Sequence, residues 1–433
     1  MRGVFLFIVS VLVAEPSLAV THYVATNSPS PLSPFTNWTH AAHDIQSAVN
    51  AGIDGDEVLV SNGIYSTGGA VTPGYTHTNR VAVTNSIRLQ SVNGQAVTII
   101  RGQVDPYTGG SGTNAVRAVF LGAGSSLVGF TVTGGANVYD PYDVYAVCGG
   151  GIFSVGATIS NCIVEGNQSS YGGGGIYSQS GATVVEHCTI RGNQGGLGGG
   201  VYMSGSGELL RNCIVQNNHG GNGGGVRTEG GLIASCTIVN NEADSGGGLY
   251  SYRPNDTVTV LTVYNSIIYG NTATISNNYL ISTNRSSFFF NSCCTEPLPP
   301  GSKNIAADPQ FYGGQDFHIR STSPCFDAGT NEDWMTGSVD IDGDARIRGT
   351  NVDIGADEAW FFAALSVSNA AGKVTTLWDT VVNGAFFLEA ATNLPGGNWT
   401  NVSTVVTTLN SRVSVIVTNA ASFRAYRLRY QGP

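Results

Sequence analysis

The chain has 433 residues, 59 of them glycine, with 41% hydrophobic and only 11% charged residues. That apolar share excludes a disordered chain and requires a buried core. The net charge of −10, from 29 acidic against 19 basic residues, argues against nucleic acid or an anionic membrane surface as partner.

The first segment, MRGVFLFIVSVLVAEPSLAV, carries one arginine, an apolar run from Val4 to Val13, and Ser17-Leu18-Ala19. This is the pattern of a secretory signal peptide, with cleavage expected after Ala19. Residues 1–19 are read as the signal and the mature chain as secreted or surface-attached. The run is too short to span a membrane, and no later stretch approaches the roughly 20 apolar residues a spanning helix needs. No transmembrane segment is expected after signal removal.

In NWTHAAHDIQSAVNAGIDGDEVLVSNGIY, residues Ala41, Ala42, Ile45, Ala48 and Val49 keep helical spacing and Gly52 ends the pattern. A cap helix is expected over about residues 39–51, with Val58-Leu59-Val60 opening the first strand. Two segments then break the rhythm that the rest of the chain keeps: RGQVDPYTGGSG (101–112) and ANVYDPYDVYAV (136–147). Each carries Asp-Pro-Tyr. If both overhang one side, Asp105, Tyr107, Asp140, Tyr142, Asp143 and Tyr145 bring carboxylates and aromatic faces together, as sugar sites do. Asp105, Asp140 and Asp143 are the candidate catalytic groups of this reading, expected in one groove, and the tyrosines its binding surface. Ordinary turn formation is the alternative.

From residue 149 the chain repeats. ISNCIVEGN, VEHCTIRGN, LRNCIVQNN, IASCTIVNN and VYNSIIYGN share one position, held by Cys162, Cys188, Cys213, Cys236 and Ser266 at spacings of 26, 25, 23 and 30. Between them run GGGIFS, GGGIYS, GGGVYM, GGGVRT and GGGLYS. A period near 25 with two short strands per unit is the mark of a solenoid. Coils of a β-helix turn corners that only glycine negotiates cheaply, and stacking leaves no room there for a Cβ. The cysteines, with Val164, Ile190, Val215 and Ile238, are expected to face inward as small hydrophobes; spaced along a line, they do not converge on a metal. Asn167, Asn193, Asn218, Asn241 and Asn271 are expected to form a ladder of amides from coil to coil. Glu165 below Arg191, and Glu186 below Arg211, suit cross-coil ion pairs. Phe153, Tyr177, Tyr202, Arg227 and Tyr250 are expected as an exposed strip. Stacking stabilises such a strip by itself; a glycan chain lying on Tyr177, Tyr202 and Tyr250, with Arg227 attracting uronate or sulfate, is the binding reading. Cys293, Cys294 and Cys325 fall in irregular segments, where a disulfide from Cys325 to Cys293 or Cys294 suits an oxidising compartment.

In VDIDGDARIRGTNVDIGADE, Asp340, Asp342 and Asp344 resemble the start of a calcium loop, but the distal Glu is missing. Pairing with Arg346 and Arg348 to close the solenoid is the competing role. No other cofactor is expected. After residue 360 the glycine triplets stop, and AFFLEAATNLPGGNWTNVSTVVT and SFRAYRLRY read as strands of a small β-sandwich over 361–433.

These residues carry a resemblance. HAAHDIQSAVNAGIDGDEVLVSNGIY resembles the start of the pectate-lyase-like right-handed β-helix superfamily. The GGG and Asn units are similar to the repeats of polymorphic outer-membrane proteins. Residues 304–358 resemble the closing segment of secreted bacterial proteins of the choice-of-anchor Q type. The resemblance implies fold and export but no single activity, since the superfamily holds lyases, hydrolases and adhesins. Its pectate lyases stack acidic residues for calcium beside a basic proton acceptor, and the charged files here do not match that pattern.

The expected fold is therefore all-β: a right-handed parallel β-helix over 20–360, with an N-terminal helical cap, a closing segment over about 304–359, and a small C-terminal β-sandwich. The expected function is binding of carbohydrate or another cell-surface polymer. The alternatives are a polysaccharide lyase or glycoside hydrolase with its site in 101–147, and a purely structural adhesin. Oligomeric state is left open.

Overall fold

The computed structural model describes residues 19–359 except 73, 139, 141, 142, 144, 145, 180, 253–258, 283–285 and 315, and beyond them backbone strands between residues 366 and 430. Residues 1–18 of the proposed signal peptide lie outside the described residues. Three long sheets run the length of the solenoid, of eleven, nine and nine strands. The first begins with Thr21–Val24 and Glu57–Val60 and ends at Ser286–Asn291 and Gly301–Ser302. Every pairing within it is parallel and steps one coil along, as in Thr158–Ser160 beside Val184–Glu186 beside Leu209–Arg211. This is the expected parallel β-helix.

Each repeat carries four strands where two were expected. ISNCIVEGN is not one strand: Thr158–Ser160 belongs to the first sheet and Ile163–Glu165 to the second. Between them Asn161 turns the chain in the left-handed region, at φ 53°. The same corner is made by His187, Asn212, Ser235, Asn265 and Ser292, all at φ 49° to 52° or slightly below. Ile159, Cys162 and Val164 all point into the core, each at most 1% exposed, so the inward spacing steps by three across the corner and by two after it. A fourth, five-stranded sheet formed by Gln168–Gly172, Gln194–Leu197, His219–Asn222, Glu242–Ser245 and Thr272–Ile275 follows the second.

The glycine triplet then leads into the third sheet. Gly198 takes φ +63°, and a Cβ on Gly199 would sit 2.3 Å from the His219 carbonyl oxygen of the next coil. Backbone approaches this close admit no side chain. The cysteine file is buried and reduced, and Cys293 continues it in the last coil rather than lying in an irregular segment. The asparagine ladder is complete. Each Nδ2 donates to the next Oδ1, from Asn167 through Asn193, Asn218, Asn241 and Asn271, at 2.9–3.0 Å.

The cap differs from the expected helix. Trp38–His40 is a single 3-10 turn, and the α-helix spans only Ile45–Ala51. Asp44 starts it, accepting from Ser47 N at 2.9 Å; this N-cap requires extended backbone, so the helix cannot begin upstream. The helical spacing was right about burial, since Ala41, Ala42, Ile45, Ala48 and Val49 are all buried. The first strand is Thr21–Val24, ahead of the one expected.

The closing segment does more than end the solenoid. It folds back along the corner between the first two sheets as a strap. Thr330 exchanges two hydrogen bonds with the Asn265 side chain (2.8 and 2.9 Å). Trp334 Nε1 donates to the Tyr264 hydroxyl at 2.9 Å. The Val339 carbonyl meets His187 Nε2 at 3.0 Å and accepts from Asn212 Nδ2 at 3.1 Å. Further on, the described strands form two antiparallel sheets, of four and three strands, between Ser366 and Tyr430.

Candidate functional site

The two insertions do meet on one flank. Gly112 N donates to the Asn137 carbonyl and Ser111 Oγ to Asn137 Oδ1, both at 3.0 Å. They do not present the expected carboxylate pair. Asp105 is 2% exposed, and its oxygens accept from Asn114 N and Tyr107 N (2.8 Å each), Thr108 N and Asn114 Nδ2. Those amide donors, Asn114 first, hold its carboxyl below the usual range. It is a turn organiser, spent on its own Asp-Pro-Tyr-Thr loop. Tyr107 stands at the loop tip, 87% exposed. Asp143 accepts from Thr76 Oγ1 at 3.2 Å and Ala146 N at 3.1 Å; Asp140 is half-buried. Tyr142 and Tyr145 lie outside the described residues.

Beneath these loops is a group that the sequence did not signal. Arg117 is fully buried and donates to the Gly149 and Cys148 carbonyls and to Asn79 Oδ1, all at 2.8–2.9 Å. It also lies 4.9 Å from the Phe153 ring centroid. Burial, with Arg117 beside it, pushes His77 down to about 3, so its imidazole is neutral. This cluster ties Ala136, Cys148 and Gly149, at the two ends of the second insertion, to the third sheet.

The aromatic file is straight but not exposed. Phe120 and Phe153 stack at 5.6 Å, and Phe153, Tyr177 and Tyr202 follow at 5.2 Å steps. Arg227 ends the run, 4.9 Å from Tyr202 and 5.5 Å from Tyr250. Yet Tyr177, Tyr202 and Arg227 are each at most 6% exposed. Tyr75, Val147, Cys148 and Leu197 pack over the file, because the segment carrying Tyr75, the end of the second insertion and the fourth sheet fold onto this face. The expected open platform is therefore a second hydrophobic layer, and among the described residues of the file only Tyr250 is half-buried.

The acidic loop is also rearranged. Asp340 is 1% exposed and spends its carboxylate on the amides of Asp342, Asp344 and Glu358 (2.8–3.0 Å). Asp344 pairs with Arg348 at 3.1 Å, while buried Arg346 lies 3.4 Å from Glu358. The three aspartates expected as calcium ligands thus do not converge; Asp342 instead reaches His318, 24 residues away. Nor is there a disulfide among the described cysteines, although Cys325 packs beside Cys294. Both expected ion pairs form, Glu165 with Arg191 at 2.7 Å and Glu186 with Arg211.

The described residues form open clefts, two of which are of note. One, of about 400 Å³, is lined by Thr133, Glu165, Gly166, Arg191, Gly192 and Asn217. The other, of about 350 Å³, is lined by Asn27, Trp38, Ser61, Asn62, Val92 and Asn93. Trp38 is 43% exposed and its ring is propped by Tyr23 at 4.6 Å, the planes inclined at 67°. Asn93 Nδ2 donates to Asn62 Oδ1 at 2.8 Å, fixing two stacked amides beside it. Sequence reasoning missed this site because the tryptophan precedes the cap helix and its partners come from three separate segments.

No protein-family model and no curated protein matches the chain. Among solved structures it is similar to pectate lyase Pel9A, at 15% identity and a TM-score of 0.50, over 79% of this chain and 97% of that one. It is also similar to pectin methylesterase from carrot, at 14% identity and a TM-score of 0.36, over 69% and 86%. The first likeness shows the fold, a parallel β-helix; the second adds no argument. No helix among the described residues is long and apolar enough to cross a membrane.

Proposed function

We propose that this is an exported protein that binds a carbohydrate chain in the Trp38 cleft. The observation that supports the reading is an exposed indole held rigid beside fixed amides. Sugar C–H faces stack on aromatic rings, and planar amides donate to and accept from hydroxyls. A cleft of about 350 Å³ lies at the small end of ligand-pocket sizes and suits one or two sugar rings of a longer chain. Among the described residues no charged side chain lines it, and neutral sugars are the matching class. In a pull-down on insoluble polysaccharides, or on a glycan array, Trp38→Ala is expected to lower binding at least tenfold. Tyr107→Ala, at a solitary loop tip, is expected to leave it unchanged. An array without hits, or hits that survive Trp38→Ala, would overturn the proposal.

Cleavage of an acidic polysaccharide is the second reading, supported by the fold shared with a pectate lyase and by the charged cleft around Glu165 and Arg191. Glu208 has burial pushing its carboxyl up to about 7, a value suited to acid–base work. It is 2% exposed, however, and engaged by Ser178 Oγ and Gly205 N, out of reach of a polymer. Absorbance from an unsaturated product, released by the chain and lost in Arg191→Ala, would favour cleavage.

A further inference from the structure

The back-folded strap carries one cluster that neither sugar binding nor the fold accounts for. His318 lies on the strand Asp316–Ile319, and its imidazole stands between carboxylates. Nδ1 is hydrogen-bonded to Asp316, and Nε2 lies 2.6 Å from Asp342 Oδ2 and 3.9 Å from Asp357 Oδ1. One atom each from His318, Asp342 and Asp357 lies within 4.8 Å of the other two. Asp357 is 6% exposed, and its Oδ2 is buried without a hydrogen-bond partner. A buried carboxylate oxygen left unpaired costs about 1–3 kcal/mol or more unless something else meets it.

We propose that His318, Asp342 and Asp357 form a binding site for a divalent transition-metal ion of the zinc class. The ion takes the place of the proton now shared between Nε2 and Asp342, and Asp357 turns toward it. Asp316 holds the Nδ1 proton and so fixes the ring, the arrangement that metal-bound histidines use. Asp340 binds both ligand loops together, since its carboxylate accepts from Asp342 N and Glu358 N. One nitrogen and two carboxylates suit Zn²⁺, whose sites combine these ligands, whereas Ca²⁺ takes six to eight oxygens and no imidazole. His318 and Asp342 keep side chains 44% and 48% exposed, which leaves the fourth position to water. The acidic strap recruits a cation, but not at the Asp340, Asp342 and Asp344 set that sequence spacing suggested.

The test is calorimetric titration of Zn²⁺ into the tag-free full chain after chelator treatment, with Ca²⁺ in parallel. One site is expected for Zn²⁺ and none for Ca²⁺. His318→Ala is expected to abolish binding, and Asp316→Asn to weaken it ten- to a hundredfold as a ring-orienting change. Loading with Co²⁺ gives a second readout, a visible absorption band that His318→Gln, a half-exposed replacement, should remove while the chain still melts as before. Absence of Zn²⁺ binding, binding unchanged in both His318 variants, or Ca²⁺ bound in preference would overturn the site. None of these results bears on the Trp38 cleft, which shares no residue with it.

Discussion

Asn193 shows what a single residue does in a stacked fold. Its amide accepts from Asn167 N and Nδ2 and donates to the Val164 carbonyl and Asn218 Oδ1, all at 2.9–3.0 Å. Nothing about it is spare. Asn193→Ala leaves the Asn167 backbone amide unpaired in a dry interior and takes from the Val164 carbonyl the second of its donors, at a cost of about 1–3 kcal/mol. Asn193→Asp is expected to be worse, although it is nearly isosteric. An oxygen then faces two oxygens and a charge is buried without a partner. Urea denaturation at pH 7 separates the two; an aspartate variant as stable as the alanine one would show that the ladder is not what holds the corner.

At the scale of elements, legibility followed repetition. Cysteine, asparagine and glycine positions recur from coil to coil after residue 149, so they could be aligned and the inward direction of the cysteines deduced. The corner at Asn161 left only a faint mark, a step of three rather than two between the inward residues Ile159 and Cys162, which the regular alternation of Cys162 and Val164 after it obscures. The fourth sheet was invisible for another reason: QSSYG, QGGL and HGGN carry no apolar alternation, and backbone pairing alone defines them. The acidic strap was half legible, since Asp342 stands in a suggestive spacing while its partner His318 does not. Trp38 gave no signal because its neighbours assemble only in three dimensions. The glycine corners make a sharp contrast. Gly192 takes φ +60° with nothing within 4 Å of a Cβ, and Asn217 and Asn240 occupy its position in later coils at φ 54°. Gly192→Asn is therefore expected within about 0.5 kcal/mol of the parent. Gly199→Ala, pressed against the His219 carbonyl, is expected to cost at least about 2 kcal/mol. Thermal melts that rank the two in the opposite order would contradict the stacking argument.

At the scale of the whole molecule, a solenoid whose coils touch only their neighbours should unfold piecemeal. The strap changes that, because one segment binds coils from His187 to Ser292 at once. Ser292 Oγ meets Thr330 Oγ1 at 2.9 Å, Gly355 N donates to the Asn265 carbonyl, and Ala356 N to Thr237 Oγ1. Trp334 is its fastener, hydrogen-bonded to Tyr264 and lying 4.5 Å beneath the Arg211 guanidinium, itself paired with Glu186. One hydrogen bond of about 1 kcal/mol and a partly buried cation–π contact of about 0.5–2 kcal/mol are lost in Trp334→Ala. Opening of the strap then becomes about ten- to a hundredfold easier. Hydrogen exchange is expected to accelerate by that factor at amides the strap covers, those of Ile267 and Thr237 among them. Amides of Arg117–Leu121, well outside its reach, should keep their rates. Uniform acceleration along the whole solenoid would mean instead that Trp334 serves general packing, and that the coils cooperate without a tie across them.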